Sequence, residues 1–456
     1  MTEDFTDWTI AQFTEAFRSG AASPVEVAGW ALAKARTLNE RFGTVLTHIA
    51  DEEALHLARA SERRWRAGTA RGALDGVPVT IKNLLGVDGW PLDFCSLTVD
   101  PATRADFNAP AVARLREAGM VFIGYTATPE FSWKLVTDSP KYGATRNPHD
   151  LERTAGGSSG GAAVCAAAGL APVHLGSDAA GSIRLPAAFC GVFGMKPTFG
   201  TVAAYPAGPL THIGPIARSV ADAALVLDTI GQPDRRDWYN TPFKRAGAFS
   251  HCLGRPLTGI RVAYAPRFAG MQPLAEIKAL VDRAVQKLAD LGACVEEKEP
   301  LIIDPREIGR IFFAGGYIAR FRAMAAETRA TVDPALLSLV ERAERHSAED
   351  VRQAYDQRYR LGCQLADFFE DFDILVTPTT ICPAFKLGRN APDGFADDLA
   401  EWSAYTYSFN LAQNPAATVP CGSTEGGLPV GLQIVGPKFS DAAVLAASAE
   451  LERIGS

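Results

Sequence analysis

Six residues, Gly156-Gly157-Ser158-Ser159-Gly160-Gly161, run straight into Ala162-Ala163-Val164-Cys165-Ala166-Ala167-Ala168. The glycines give this stretch backbone conformations closed to other residues. A flexible linker would share that composition. It would not lead directly into a small-residue helix that can pack tightly, so the stretch predicts a turn opening a buried helix. A second glycine-punctuated stretch follows: Gly176-Ser177-Asp178-Ala179-Ala180-Gly181-Ser182-Ile183-Arg184-Leu185-Pro186. Around both, the chain alternates. Short apolar strands are expected at 77–81, 120–123, 172–175, 260–263, 294–297, 374–377, 416–419 and 430–435. Helices are expected at 111–118, 160–169, 220–230, 274–291 and 349–369, with two more across 24–66. Strands separated by helices predict an α/β layer architecture around a mixed sheet.

The chain has 456 residues, 47% of them apolar and 21% charged, which is a soluble globular composition. At about 150 residues per domain this length suggests two or three domains, although large α/β enzymes also run as one sheet. The net charge of −7 argues against a general nucleic-acid binder, which needs a basic face. Met1-Thr2-Glu3-Asp4-Phe5 lacks the basic and apolar regions of a secretory signal. No apolar run approaches the roughly 18 residues of a membrane span. Eight cysteines (Cys95, Cys165, Cys190, Cys252, Cys294, Cys363, Cys382 and Cys421) are scattered singly, with no CxxC pair to suggest zinc or thioredoxin chemistry. They read as small buried hydrophobes of a reducing compartment. A cytoplasmic protein with no membrane and no nucleic-acid partner is expected. Residues 233–255 read as a surface connection, 300–372 as a helical cap over the sheet, and 393–398 as an acidic loop.

Two serines and a lysine carry the chemistry. Lys82 ends the apolar run Val77-Pro78-Val79-Thr80-Ile81. An ordinary lysine, with a pKa of about 10.4, is a poor base at neutral pH, but burial can lower that by several units. A lysine at a strand end also commonly just reaches solvent. Ser158 sits among the glycines, and a phosphate-cradling loop there would need a Gly-Lys-Ser/Thr that is absent. Gly156-x-Ser158-x-Gly160 also fits a nucleophile elbow, which would need an acid and then a histidine downstream. His212, His251 and His346 are available, none in an informative setting. Ser182 follows Ala179, Ala180 and Gly181, whose small side chains leave backbone N–H groups accessible for an oxyanion. Ser182 equally fits a helix N-cap, and the two roles are compatible because a helix N-terminus favours negative charge. A nucleophile, a hydroxyl relay and a nitrogen base together can cut an amide without histidine, metal or cofactor.

In combination, Gly76-Val77-Pro78 with Lys82, the Gly156–Gly161 stretch and the Gly176–Pro186 stretch resemble the amidase signature family. Further matching segments are Thr128-Pro129-Glu130-Phe131, Asn147-Pro148-His149-Asp150, Gly194-Met195-Lys196-Pro197-Thr198, Gly214-Pro215-Ile216-Ala217-Arg218-Ser219-Val220 and Gly427-Leu428-Pro429-Val430-Gly431-Leu432-Gln433. The resemblance spans roughly residues 20–450. It implies one domain over residues 1–456, an α/β fold with about eleven strands between helical layers, and catalytic motifs within about 70–230. It also implies a triad of Ser182 as nucleophile, Ser158 as the serine after a cis peptide bond, and Lys82 as base. The N–H groups of Ala179, Ala180, Gly181 and Ser182 match the oxyanion hole. Ser177, Asp178 and Arg184 match loop-ordering positions, and Ser159 a supporting serine. Phe131, Ser132 and Trp133 match the neighbourhood of the acyl pocket.

Three positions depart from the family pattern. Asn83 stands where an aspartate is usual, removing a negative charge beside Lys82. Ala179-Ala180-Gly181-Ser182 replaces Thr-Gly-Gly-Ser, which predicts a tighter loop, and Ser177 replaces a threonine. The function implied is hydrolysis of a small carboxamide to an acid and ammonia or an amine through an acyl-enzyme. The alternative is the glutamine-hydrolysing A subunit of an aminoacyl-tRNA amidotransferase. A small-molecule amide is the expected partner, and a homodimer stays open.

Overall fold

The computed structural model describes residues 4–240 and 247–455. Its strands are β1 (Leu46–Ile49), β2 (Pro78–Lys82), β3 (Val121–Thr126), β4 (Asp138–Ser139), β5 (Gly143–Ala144), β6 (Val173–Asp178), β7 (Phe193–Lys196), β8 (His212–Ala217), β9 (Arg261–Tyr264), β10 (Cys294–Glu297), β11 (Ile374–Pro378), β12 (Ala416–Ser423) and β13 (Pro429–Val435). β4 and β5 pair with each other, and the other eleven form one mixed sheet in the order β1-β3-β2-β6-β8-β7-β12-β13-β11-β9-β10. β2 runs parallel to both β3 and β6, and β9 runs parallel to β10 and β11. The remaining pairs are antiparallel.

Both faces of the sheet are covered, which is why its strands read as unbroken apolar runs. Successive side chains point to opposite faces. In β3, Val121 and Ile123 join one apolar cluster while Phe122 between them joins another, shared with Val79 and Ile81 of β2. Burying a side chain such as Phe122 or Leu432 contributes about 1.5–3 kcal/mol. The helices start where capping chemistry allows. Ser23 forms a reciprocal capping box with Glu26 ahead of Pro24–Phe42, and the Ser219 side chain caps Val220–Ile230.

The eight expected strands and the expected helices form, most within one or two residues of the sequence reading. Three strands of the sheet, β1, β7 and β8, and the helices Ile10–Ser19 and Asp441–Arg453, were not read from the sequence. β7 and β8 lie centrally between β6 and β12, yet carry Gly194, Lys196, His212, Gly214 and Pro215, which break an apolar pattern. Gly214 is required there: a Cβ on it would stand 2.1 Å from the Met195 carbonyl oxygen. Residues 300–372, expected to cap the sheet, hold the helices Arg306–Arg322, Ala326–Arg329, Pro334–Ala343 and Ala348–Asp371. Of the expected surface connection at 233–255, residues 241–246 lie outside the described residues. No helix among the described residues is long and apolar enough to cross a membrane.

Candidate active site

Lys82 closes β2, and Ser177 and Asp178 close the neighbouring parallel strand β6. Parallel pairing brings both carboxyl ends to the same edge, the place where open α/β sheets bind ligands. Lys82 Nζ donates to Ser158 Oγ at 2.7 Å and to Ser177 Oγ at 2.9 Å. The side chain is fully buried. Burial lowers the amine pKa to about 7, with the Asp178 carboxylate pulling the other way. The Gly157–Ser158 peptide bond is cis. The Ser159 N–H donates to the Ser182 carbonyl at 3.1 Å, and Ser159 Oγ donates to the Ser177 carbonyl at 3.2 Å. These bonds tie the Ser158 turn to both β6 and Ser182.

Asp178 organises the loop that follows. Its Oδ1 accepts from the Gly181 N–H at 2.7 Å, and its Oδ2 accepts from the Ile183 N–H at 3.2 Å. Arg184 donates to it from Nε and Nη2, each at 3.0 Å. Burial pushes the Asp178 carboxyl up, but the Arg184 charge and hydrogen bonds, with help from Lys196 and Asn410, hold it below its ordinary value. Arg184 is fully buried and extends the network to the Gln433 Oε1 at 2.8 Å, the Asn410 Oδ1 at 2.6 Å and the Thr406 carbonyl at 3.0 Å. Its donors are thus spent on ordering the loop, not on a substrate carboxylate.

Two expectations about this loop change. The Gly181 N–H, expected to face an oxyanion, is taken up by Asp178. The N–H groups of Ala179, Ala180 and Ser182 remain as candidate donors. Ser182 is not a helix N-cap: the helix Arg184–Cys190 is preceded by Ile183 and has no side-chain cap bond. The Asp178 carboxylate collects the N–H groups of this turn instead. Gly181 is needed as glycine, because its φ is +122° and a Cβ would stand 2.4 Å from Thr406 Oγ1.

Ser182, Ala179 and Ala180 border a cavity of about 260 Å³. Its other walls include Ser132, Trp133, Leu135, Phe312, Phe313, Tyr317 and Leu399. Ser132 and Trp133 line this cavity, but Phe131 lies behind the wall. Its φ of +51° turns the ring onto Phe94, with centroids 6.0 Å apart, and edge-on to Phe321. Asn83 donates from Nδ2 to Asp93 Oδ1 at 2.7 Å and to Thr47 Oγ1 at 2.9 Å. An aspartate there would oppose the Asp93 carboxylate, which already pairs with Lys141 at 2.8 Å.

The elbow alternative finds no support. No named strand leads into Ser158, and its Oγ meets Lys82 rather than a histidine. His212 Nδ1 faces the carbonyls of Leu210 and Asp178, and burial followed by the Lys196 charge hold this imidazole well below its ordinary pKa. His251 is exposed in a short 3₁₀ turn, and His346 sits between two cap helices. Among the described residues, no group of three or more His, Cys, Asp and Glu side chains is placed to hold a metal ion.

Sequence reasoning assigned no role to Thr406, Asn410, Phe312, Phe313 or Tyr317. Thr406 and Asn410 act on a loop more than 220 residues away in the chain, and a single sequence carries no signal of that contact. Phe313 and Tyr317 recur at helical spacing, which marks an apolar face without saying whether it meets core or cavity.

The amidase family model matches residues 26–445. An acylamidase of Rhodococcus erythropolis is 35% identical over 466 aligned positions, covering 100% of this chain and 97% of that protein. The A subunit of the glutamyl-tRNA(Gln) amidotransferase of Symbiobacterium thermophilum is 35% identical over 470 positions, covering 96% of this chain and 94% of that one. A bacterial aryl acylamidase of the amidase signature family superposes with a TM-score of 0.91 at 29% identity, over 98% of this chain and 96% of that one. Matches of this reach, over the same eleven-stranded fold, make the chain a member of the amidase signature family and a hydrolase of amide C–N bonds.

Proposed function

We propose that this chain hydrolyses small carboxamides with an apolar or aromatic acyl group, giving the carboxylic acid and ammonia or an amine. Lys82, uncharged above its lowered pKa, takes the hydroxyl proton of Ser158, and Ser158 takes that of Ser182. Ser182 Oγ then attacks the amide carbon. The oxygen becomes an oxyanion facing N–H groups of the Ala179–Ser182 loop. The relay runs backwards to protonate the leaving nitrogen, the C–N bond breaks, and water releases the acid from Ser182. The observation that carries this reading is the buried Lys82 amine, 2.7 Å from Ser158 Oγ, in a turn whose Ser159 N–H bonds the carbonyl of the cavity-bordering Ser182. The rings of Trp133, Phe312, Phe313 and Tyr317 around that cavity support an apolar acyl group. Ammonia release from a panel of aryl, aliphatic and amino-acid amides tests it. Turnover of aryl or alkyl amides is expected, and inertness toward all of them overturns it.

A second reading has a specific observation behind it. The 35% identity to the A subunit of an amidotransferase supports glutamine hydrolysis within a larger complex. Glutamine turnover together with co-purifying partner chains would favour that reading, and efficient hydrolysis of simple amides by the isolated chain would favour the first.

A further inference from the structure

The helix Arg306–Arg322 gives Phe312, Phe313, Gly316 and Tyr317 to the cavity wall. At about 100° per residue, Phe312 and Tyr317 stand about 140° apart round the helix, and Gly316 falls inside that arc. Each flanking ring is held by a contact of its own. Phe312 meets Tyr355 edge-on with ring centroids 4.8 Å apart, and Phe313 meets Tyr407 edge-on at 5.5 Å. The Tyr317 hydroxyl donates to the Phe131 carbonyl at 3.3 Å. Gly316 is thus a notch among anchored aromatic side chains.

Glycine weakens a helix interior relative to alanine, so its presence there calls for a reason. The helix holds three glycines, and they differ in what a side chain would meet. At Gly309 a Cβ would stand 3.1 Å from the Phe313 ring and 3.4 Å from that of Tyr407, so close packing accounts for it. At Gly315 and Gly316 a Cβ would meet no heavy atom of the described residues within 4 Å, and neither φ is positive. Neither backbone geometry nor packing therefore asks for glycine at 316. The two positions differ in one respect: Gly316 borders the cavity and Gly315 does not. What a side chain at 316 would take up is cavity space. The cavity holds about 260 Å³. An apolar cavity of about 150 Å³ already accepts benzene, so a ring fits here with room for linking atoms. Aromatic walls also favour a ring as their neighbour, edge-on or offset.

We propose that Gly316 is the specificity-determining residue of the acyl pocket: its bare backbone leaves the space in which the ring of an aryl or arylalkyl acyl group lies. This rests on the cavity being the acyl pocket. Acetamide, butyramide, benzamide and phenylacetamide are assayed with wild type, Gly316→Ala, Gly316→Leu and Gly315→Leu. Wild type is expected to favour a ring amide over acetamide by about tenfold or more in kcat/KM. Gly316→Leu is expected to lower that ratio by about ten- to two-hundredfold, mostly through KM, with Gly316→Ala between. Gly315→Leu makes the same exchange one position away, outside the cavity, and its ratio should stay within about threefold of wild type. Calorimetric titration of phenylacetamide into Ser182→Ala, with and without Gly316→Leu, follows binding apart from turnover, and Gly316→Leu should raise Kd by a similar factor. Absence of a ring preference in wild type overturns the proposal, as does an unchanged ratio or Kd in Gly316→Leu. So does an equal shift in Gly315→Leu, which would mark helix stiffness and not cavity space as the cause. If no amide is turned over while phenylacetamide binding still depends on residue 316, the hydrolase reading fails and residue 316 remains the determinant of ring binding.

Discussion

Asp178 and Arg184, six residues apart in sequence, face each other through two hydrogen bonds of 3.0 Å, and neither side chain is exposed. The acid also holds the Gly181 and Ile183 N–H groups, while the base reaches Thr406, Asn410 and Gln433. One ion pair thus gathers the loop that carries Ser182 and fastens it to the last quarter of the chain.

Removing one partner of a buried pair leaves the other charge unmatched, at a cost of about 3–5 kcal/mol. Asp178→Asn is expected to lose stability on that scale in denaturant unfolding, together with most amidase activity. A midpoint unchanged from wild type would show that Arg184 is satisfied without the carboxylate.

In the proposed mechanism the uncharged form of Lys82 is the competent base. Because its folded-state pKa is lowered to about 7, kcat/KM should climb about tenfold per pH unit below neutrality and level off above roughly pH 8. Lys82→Ala should reduce kcat by about a hundred- to ten-thousand-fold. Lys82→Arg should not restore it, since a guanidinium stays protonated. Near-wild-type turnover in Lys82→Arg would assign the base elsewhere.

Ser182→Ala should abolish labelling by a fluorophosphonate while leaving the unfolding midpoint within a few degrees of wild type. Mass spectrometry of the labelled wild-type chain is expected to locate the adduct on Ser182. An adduct on Ser158 or Ser159 would reverse the assignment of nucleophile and relay.

Gly181→Ala places a methyl group 2.4 Å from Thr406 Oγ1 at a φ of +122°. The loop must shift, so kcat should fall more than tenfold, on the scale of one lost oxyanion donor, which costs about 10²–10³. Activity equal to wild type would mean that the N–H groups around residue 181 take no part.

Incubation with EDTA should leave the rate within twofold, since the proposed mechanism draws its acid–base chemistry from lysine and serine and no metal-holding cluster occurs among the described residues. Loss of activity that zinc or manganese restores would contradict this.

The sequence disclosed most of the sheet and the glycine-rich stretches of the candidate site because both are local. A strand covered on two faces is apolar throughout, as in Val79 and Ile81. A glycine pressed against a neighbour, as at Gly181, is visible as glycine before the neighbour is known. What stayed hidden is what arrives from afar. Nothing near residue 178 announces Asn410, and nothing near Ser182 announces Phe313. β7 and β8 escaped notice because Gly194, His212 and Gly214 serve close packing and local hydrogen bonds at the cost of a recognisable strand pattern. Phe131 was misplaced by one residue's worth of backbone: a left-handed turn sent its ring behind the wall and left Ser132 in front.

Lys82 and Asp178 are fixed to the ends of interior strands of the sheet, whereas Phe312, Phe313 and Tyr317 come from the helix Arg306–Arg322, which packs on other helices. A change on that helix alters the shape of the cavity without loosening the bonds around Lys82. On the proposed mechanism the reaction belongs to one region and the appetite for particular amides to another, so that descendants can diverge in the second while the first stands still.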